Sequence, residues 1–181
     1  STDRRLEPII SLLKPFLCLV TMFSNAELRC AGPDWYEFGE FCYKPFEEKK
    51  TWYAARSACR AINADLVSIS SLTEQTSQTH PPYSLLATND VWIGLNDLDF
   101  PVGWGWTDMT ALGFVNWAPG EPNGIFHGAN LGNEDCVEMY PDGLWNDNNC
   151  LEKRGFACRH RKCKHTFFSL QDSIFFVCVL I

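Results

Sequence analysis

Cysteine spacing is the strongest constraint on how this chain of 181 residues can fold. Six cysteines lie in residues 30–158, and they are Cys30, Cys42, Cys59, Cys136, Cys150 and Cys158. In an oxidising compartment they predict a disulfide framework, although spacing alone does not select one pairing. A structural zinc site is disfavoured because the chain contains no C-x-x-C pair. Cys163 and Cys178 follow, and the sequence leaves their pairing open.

The first 26 residues have the pattern of a secretory signal peptide. Basic residues precede an apolar run at 15–23, and S-N-A then suits cleavage after Ala26. The run is too short to span a bilayer. A buried helix at the start of the fold is the alternative. A signal peptide at residues 1–26 predicts a secreted or extracellular protein, a location that suits disulfide bonds.

The rest of the chain divides into a domain at residues 27–160 and a tail at residues 161–181. The tail begins with basic residues and ends with an apolar segment that Gln171 and Asp172 interrupt. We therefore find no clear membrane span in it. A truncated span and an artefact of the gene model are the two open interpretations of this tail.

Charge is distributed unevenly along the domain. No lysine or arginine occurs between Arg60 and Lys153, although that segment carries 13 carboxylates. Nucleic acid is therefore excluded as a partner of this region, because nothing there would neutralise phosphates. Carboxylates that cluster without basic residues need solvent or a metal cation around them.

Two helices are predicted before residue 80. Thr51 suits the N-cap of a helix that runs to about Ile62. Ser71 and Glu74 have the spacing of a capping box and should start the second helix, which the prolines at 81 and 82 should interrupt. A hairpin is predicted at residues 30–45, and strands at 66–70, 91–95, 136–140 and 155–159.

Side-chain oxygens are concentrated in the loop-rich segment after residue 96. The candidate donors are Glu121, Asn123, Glu134, Asn146 and Asp147. Calcium takes about six to eight such oxygens, whereas zinc and copper prefer histidine or cysteine. These residues therefore predict a calcium site, with ordinary polar loop residues as the alternative. The tryptophans of the same segment (Trp92, Trp104, Trp106, Trp117 and Trp145) are predicted to be core residues.

The order of the motifs resembles a C-type lectin carbohydrate-recognition domain. The matching motifs are C-Y at 42–43, a helix bearing Cys59, W-I-G-L at 92–95, W-x-W-T-D at 104–108, N-W-A-P-G-E-P-N at 116–123, N-E-D-C-V at 133–137, W-N-D at 145–147 and Cys158. The resemblance implies an α+β fold with two helices, two small antiparallel sheets and a long calcium-binding loop region. It also implies three disulfides, Cys59–Cys158, Cys136–Cys150 and Cys30–Cys42.

The same resemblance assigns the oxygen donors a role. Glu121, Asn123, Glu134, Asn146 and Asp147 match the family's combined calcium and carbohydrate site, and Pro122 matches its cis proline. The E-P-N motif is the family's pattern for glycans with equatorial 3- and 4-hydroxyls, as in mannose, fucose and N-acetylglucosamine. Galactose-type members have Gln and Asp in place of Glu and Asn. Two vicinal hydroxyls of the sugar would complete the calcium shell.

The chain departs from the family in the loop between Asn123 and Glu134. This loop is longer than in mannose-binding relatives, and it places Ile125, Phe126 and His127 where they could rim the site. A second calcium site in the family uses an acid directly after E-P-N, but this chain has a glycine there. Asp97 and Asp135, which would join Glu134 in that site, are therefore expected to be structural.

We conclude from the sequence that the chain binds glycans and is no enzyme. Glu121 and Glu134 could be imagined as a glycosidase pair, but a carboxylate held on calcium is a poor general acid. A single shallow sugar site should bind near the ~1 mM scale, so an oligomer would be needed for avidity. The alternative is a lectin-like module that binds a protein or another non-sugar ligand.

Overall fold

The computed structural model describes residues 28–30, 32, 34–79, 89–99, 103–124, 133–170 and 173–179, with the side chains of 29, 78–79, 164–170 and 173–179 excepted. The chain forms two compact units. One comprises Gly32–Arg161, and the other comprises Ser1–Ala31 together with Lys162–Ile181. The predicted signal peptide at residues 1–26 lies outside the described residues, and the division at 27 and 160 stays a prediction.

The larger unit is built on a sheet of eight strands. They are β2 (Tyr36–Phe38), β3 (Phe41–Lys50), β4 (Asp65–Leu66), β5 (Val91–Asn96), β6 (Gly105–Trp106), β7 (Cys136–Met139), β8 (Trp145–Asn148) and β9 (Arg154–Arg161). The strand order is β2-β3-β9-β5-β7-β8, while β4 pairs with β9 and β6 pairs with β5. Strand β8 is therefore the last strand at one edge of this path.

The resemblance implies two small antiparallel sheets, and the structure joins the two groups of strands. The connection is a short parallel pairing of β5 with β9, in which Val91 lies opposite Gly155 and Trp92 opposite Phe156. A side chain on Gly155 would be crowded, because a Cβ there would lie 3.0 Å from the carbonyl oxygen of Phe46. Close backbone approach at this glycine lets β9 lie between β3 and β5.

Two helices begin where the sequence predicts them. Helix α1 (Trp52–Ala61) follows Thr51, whose hydroxyl accepts a 3.3 Å hydrogen bond from the backbone N–H of Ala54. Helix α2 (Leu72–Thr79) follows Ser71, whose hydroxyl accepts a 3.1 Å bond from the backbone N–H of Glu74. Both are side-chain caps of free amide groups at a helix start. The prolines at 81 and 82 lie outside the described residues.

The strand predicted at residues 66–70 is wrong beyond its first residue. Regular pairing ends with β4 at Leu66, and Val67 then bonds to two different strands. Its N–H donates to the carbonyl of Ala157 at 2.9 Å, and its carbonyl accepts from Gly94 at 2.8 Å. The pattern correctly indicates that Val67 and Ile69 are buried, although Ser68 between them is buried too. It does not reveal that the segment passes between β9 and β5.

The tryptophans form the core around these strands, as predicted. Trp92, Trp106 and Trp145 are no more than 1% exposed. Trp104 and Trp117 are partly buried against the same core, and their ring centroids lie 5.2 Å apart. Large aromatic rings bury much apolar area even where the backbone is irregular. The core therefore extends under the loop-rich segment and holds it in place.

Disulfides and one ion-pair network fasten the larger unit. The structure contains the bonds Cys59–Cys158 and Cys136–Cys150, as the resemblance implies. Cys42 of the larger unit is disulfide-bonded as well, as are Cys30 and Cys163 of the smaller unit, and the Cys30–Cys42 pairing stays a prediction. Buried Arg159 donates to Glu74 at 2.9 Å and to Asp108 at 2.7 Å.

The smaller unit contains an antiparallel sheet of three described strands. They are β1 (Leu28–Arg29), β10 (Cys163–Leu170) and β11 (Ser173–Val179), in the order β1-β10-β11. Most of the tail predicted as a region of uncertain status thus forms a β-hairpin, with Phe167 opposite Phe176. No helix among the described residues is long and apolar enough to cross a membrane.

Candidate functional site

The candidate site lies beside the edge strand β8. Asp147 is fully buried on this strand. Its Oδ1 accepts a 3.1 Å hydrogen bond from the backbone N–H of Asn123, and its Oδ2 accepts a 2.7 Å bond from that of Gly124. Gly124 has a φ of 57°, a left-handed conformation that glycine adopts without steric cost. The E-P-N segment is therefore attached to β8 through the carboxylate of Asp147.

The chain before this segment is attached to the same strand. The N–H of Ala118 donates to the carbonyl of Trp145 at 2.8 Å, and the N–H of Trp145 donates to the carbonyl of Asn116 at 2.8 Å. The N–H of Glu121 then turns back to the carbonyl of Ala118 at 3.0 Å. The Glu121–Pro122 peptide is cis, as the resemblance implies. These bonds fix the backbone on both sides of Pro122.

Glu121 and Asp147 form a pair of neighbouring carboxylates. Burial raises the pKa of Glu121, and a hydrogen bond shared with Asp147 and the negative charge of Asp147 raise it further. Contacts with Asn123 act in the opposite direction but do not cancel this rise in the pKa. The Oε2 atom of Glu121 is buried without a hydrogen-bond partner among the described residues. Such an oxygen is costly unless a ligand satisfies it.

Asn146 lies next to Asp147 on β8 but leaves the strand on the other face. Side chains alternate along a strand, and the burial of β8 alternates accordingly, with Trp145 and Asp147 buried. The Nδ2 of Asn146 donates to Oε1 of Glu138 at 3.0 Å. Glu138 stands directly opposite Asn146 in the neighbouring strand β7.

The structure brings three of the five predicted ligands together, namely Glu121, Asn123 and Asp147. Glu134 is 9% exposed and lies two residues before β7. Within the described part of the chain, no three His, Cys, Asp or Glu side chains are close enough to hold a metal by themselves. A cation here would also need amide oxygens, backbone oxygens or oxygens from the ligand.

Asp97 and Asp135, which are expected to be structural and not calcium ligands, contact each other through the backbone. The backbone N–H of Asp97 donates to the carbonyl of Asp135 at 3.2 Å. Burial raises the pKa of Asp97, and the negative charge of Asp135 raises it further. The loop residues Ile125, Phe126 and His127 lie outside the described residues, so their predicted place at the rim stays a prediction.

The arrangement beside β8 fits a hard cation. The donors are carboxylate and amide oxygens, and one buried carboxylate oxygen has no protein partner among the described residues. Calcium prefers oxygen ligands of this kind. Glu121, Asn123 and Asp147 would hold such an ion, with Glu134 and Asn146 as the further predicted ligands.

The sequence interpretation did not find Glu138, which accepts the amide of Asn146. Val137 and Met139 are core residues on either side of it. The sequence does show a single carboxylate inside an otherwise apolar strand. Such a pattern indicates a buried charge, which needs hydrogen-bond or ion-pair partners. The sequence does not show its partners. Asn146 is brought opposite Glu138 by the pairing of β7 with β8, and Arg154 contacts it from the start of β9.

Comparison with known proteins agrees with this architecture. The family model described as "Lectin C-type domain" matches residues 48–160. The chain is 38% identical over 152 residues to a C-type lectin of Thrasops jacksonii, a lectoxin, covering 80% of this chain and 93% of that protein. It is also 37% identical to human asialoglycoprotein receptor 2, but it spans only 44% of the length of that receptor.

Solved structures give the same result. The cow carbohydrate-recognition domain of CD23, crystallised in the presence of a GlcNAc2Man3 oligosaccharide, superposes with a TM-score of 0.64 and 37% identity. The alignment covers 75% of this chain and 98% of that one. A calcium-independent type II antifreeze protein also has a TM-score of 0.64, with 27% identity and coverage of 75% and 97%. Family members are binding modules and not enzymes, and this chain belongs to the C-type lectin family.

Proposed function

We propose that this chain is a calcium-dependent lectin of the mannose type. Its ligands would be glycans with adjacent equatorial 3- and 4-hydroxyls, such as mannose, fucose and N-acetylglucosamine. Calcium would be held by Glu121, Asn123, Glu134, Asn146 and Asp147, and the same residues would contact the sugar. Extracellular recognition of glycans or microbial surfaces is the role that suits a domain of this kind.

The observation that carries the proposal is the pair formed by Glu121 and Asp147. The negative charge of Asp147 raises the pKa of Glu121, and the segment between Arg60 and Lys153 that contains both acids has no Lys or Arg. The uncompensated Oε2 of Glu121 adds a second energetic cost. A bound divalent cation removes both penalties, because it supplies positive charge and a partner for the free oxygen.

The polarity of the side chains would select the hydroxyls. A carboxylate only accepts hydrogen bonds, whereas an amide can donate through its nitrogen. Glu121 would therefore accept from a sugar hydroxyl to which the amide of Asn123 donates. When bound, calcium supplies coordination to the oxygens of two vicinal hydroxyls. The order of acceptor and donor along E-P-N then sets the direction of each hydroxyl dipole, and hence the preferred sugar.

Secretion and assembly belong to the same proposal. The pattern of residues 1–26 supports a signal peptide, and the disulfides suit an oxidising location. Oligomers would raise the avidity of a weak single site. Because all the proposed calcium and sugar ligands belong to this chain, binding of one sugar does not require a second subunit.

A second candidate is a non-sugar ligand bound on the same fold. It is favoured by the likeness to a calcium-independent antifreeze protein, and by the observation that no three acidic or histidine side chains of the described residues assemble by themselves. The longer loop after Asn123 is the place where such a change of ligand would arise.

Retention of the full chain on immobilised mannose tests the proposal. We expect retention in calcium, release by a chelator, and competition by free mannose that is stronger than competition by galactose. If calcium binds in calorimetry but no sugar competes, the second candidate gains support. If neither calcium nor sugar binds, the proposal is wrong.

A further inference from the structure

Glu138 is a buried carboxylate on β7, and one of its hydrogen bonds comes from Asn146, a predicted ligand of the candidate site. Only 2% of this residue is exposed. Its Oε1 accepts from Nδ2 of Asn146 at 3.0 Å and from Nδ2 of Asn148 at 2.8 Å. Its Oε2 accepts from Nε of Arg154 at 2.6 Å. Three donors thus fix both oxygens of one carboxylate.

The carboxylate decides which way the Asn146 amide faces. An ionised carboxylate has no hydrogen to donate, so the amide must turn its NH2 group toward Glu138. The Oδ1 atom of Asn146 then faces away. One of the two amide hydrogens is used by Glu138, and among the described residues the other has no further acceptor.

We propose that Glu138 is a positioning residue that presents the Asn146 amide to the cation and the sugar. Held in this way, Asn146 offers Oδ1 as a cation ligand and its second N–H as a donor to a sugar hydroxyl. The inference rests on the proposed function and deepens it, because it adds a residue that acts on the site through another side chain.

Arg154 restrains Glu138 through the bond to Oε2. Its guanidinium also lies 5.9 Å from the ring centroid of Trp92, a fully buried core residue. Fixing Oε2 through Arg154 aims Oε1 at the two amides. A group that orients a metal ligand in this way fixes the ligand's side chain before the metal binds. Less conformational entropy is then lost on binding.

The position of β8 allows Asn146 and Asp147 to serve one ion although they leave the strand on opposite faces. Strand β8 is the last of its sheet path, and the backbone of Asn123 and Gly124 lies along it through bonds to Asp147. A ligand beside a sheet edge can be reached by side chains from both faces. Glu138 then determines how the amide reaches that edge.

The decisive variant is Glu138→Gln in the full chain. Glutamine has one accepting atom, so either Arg154 or the asparagine amides lose their acceptor. We expect the calcium Kd from calorimetry to rise about 10-fold or more. Glu152→Gln is the matched control, because this carboxylate also pairs with Arg154, at 3.3 Å, but is 57% exposed. Its calcium Kd should equal that of the wild type.

A double-mutant cycle separates positioning from a general loss of charge or packing. If Glu138 acts through Asn146, Glu138→Gln should not change the calcium Kd further in an Asn146→Ala background. In an Asn148→Ala background the full effect should remain. Equal effects in all backgrounds would overturn the proposal. Unfolding in the presence of a chelator measures the cost to the fold separately.

A measurement on the wild-type protein covers the case in which Glu138→Gln fails to fold. NMR should show that one side-chain proton of Asn146 exchanges slowly with solvent, in calcium and in chelator. Rapid exchange of both protons would overturn the proposal. So would a calcium Kd for Glu138→Gln that is unchanged, or tighter, since a tighter Kd means that Glu138 holds the amide away from the cation.

The outcomes distinguish this inference from the function on which it rests. If the wild-type chain does not bind calcium, the proposed function fails and the role of Glu138 fails with it. If the wild type binds calcium and Glu138→Gln binds it equally well, the positioning role alone is wrong.

Discussion

The Oδ2 atom of Asp147 accepts a 2.7 Å hydrogen bond from the backbone N–H of Gly124, a residue 23 positions earlier in the chain. The same carboxylate accepts from Asn123 through its other oxygen. Asp147 therefore has two tasks, since it holds the E-P-N segment against β8 and supplies negative charge beside Glu121. A substitution there should affect both the loop and the cation.

Asp147→Asn should weaken calcium binding by at least about 10-fold. The amide removes one negative charge and points an NH2 group at one of the two backbone donors. Calorimetry measures the calcium Kd. Asp34→Asn is the control, because Asp34 is 76% exposed and pairs only loosely with Lys44, at 3.4 Å. Equal calcium affinity for Asp147→Asn and the wild type would contradict the assignment of this ligand.

Exchanging the acceptor and the donor of the E-P-N motif should change the preferred sugar. The double variant Glu121→Gln with Asn123→Asp keeps one carboxylate and one amide, so we expect calcium binding to persist. Competition by galactose should become stronger than competition by mannose, because the hydroxyl dipoles are reversed. An unchanged preference for mannose would show that other residues select the sugar.

Calcium affinity should fall as the pH falls. The ligand carboxylates must be ionised to bind calcium, so protons compete with the ion. The pKa of Glu121 is raised, first by burial and then by Asp147. The loss should therefore begin above the ordinary glutamate value of 4.5. It should approach about tenfold per pH unit for each proton displaced.

Calcium titrations between neutral pH and about pH 4 measure this dependence. In Glu121→Gln the affinity is lower at neutral pH, but its slope with pH should be shallower, because one competing proton site is gone. An affinity that stays flat down to about pH 4 would count against carboxylate ligands altogether.

The network around Arg159 should make the fold sensitive to acid. Burial alone would raise the pKa of Glu74, but hydrogen bonds from Tyr43 and Ser70 and the charge of Arg159 outweigh it and lower that pKa. A carboxyl whose folded pKa is lowered stabilises the fold above its ordinary pKa. This contribution is lost as the pH falls through the lowered value.

Glu74→Gln tests the network through the free energy of unfolding in urea. Removing one partner of a buried pair costs about 3–5 kcal/mol at neutral pH, and the Arg159 and Glu74 side chains are each 4% exposed. The difference from the wild type should narrow in acid. Glu48→Gln, at a carboxylate that is 69% exposed, should stay within about 0.5 kcal/mol of the wild type. A comparable loss in both variants would contradict a special role for Glu74.

Local sequence patterns predicted the helix starts, because these depend on side chains only a few residues away. Thr51 and Ser71 start their helices because a hydroxyl followed by a helix-forming segment satisfies free N–H groups within a few residues. The strand at residues 66–70 was predicted too long, because a run of buried apolar residues does not reveal which strands it pairs with. The motif order also identified Cys59 with Cys158 and the cis peptide before Pro122, as properties of a family.

The sequence by itself determined the kinds of atoms at the site. An acidic segment without lysine or arginine, rich in asparagine and glycine, supplies oxygen donors for a hard cation whatever its fold. Only the tertiary structure decided how those atoms are held. Glu138 meets Asn146 because β7 and β8 pair in one register, and Asp147 meets Gly124 because the end of the E-P-N segment lies beside β8. Such contacts depend on strand pairing over long separations, which a local pattern does not encode.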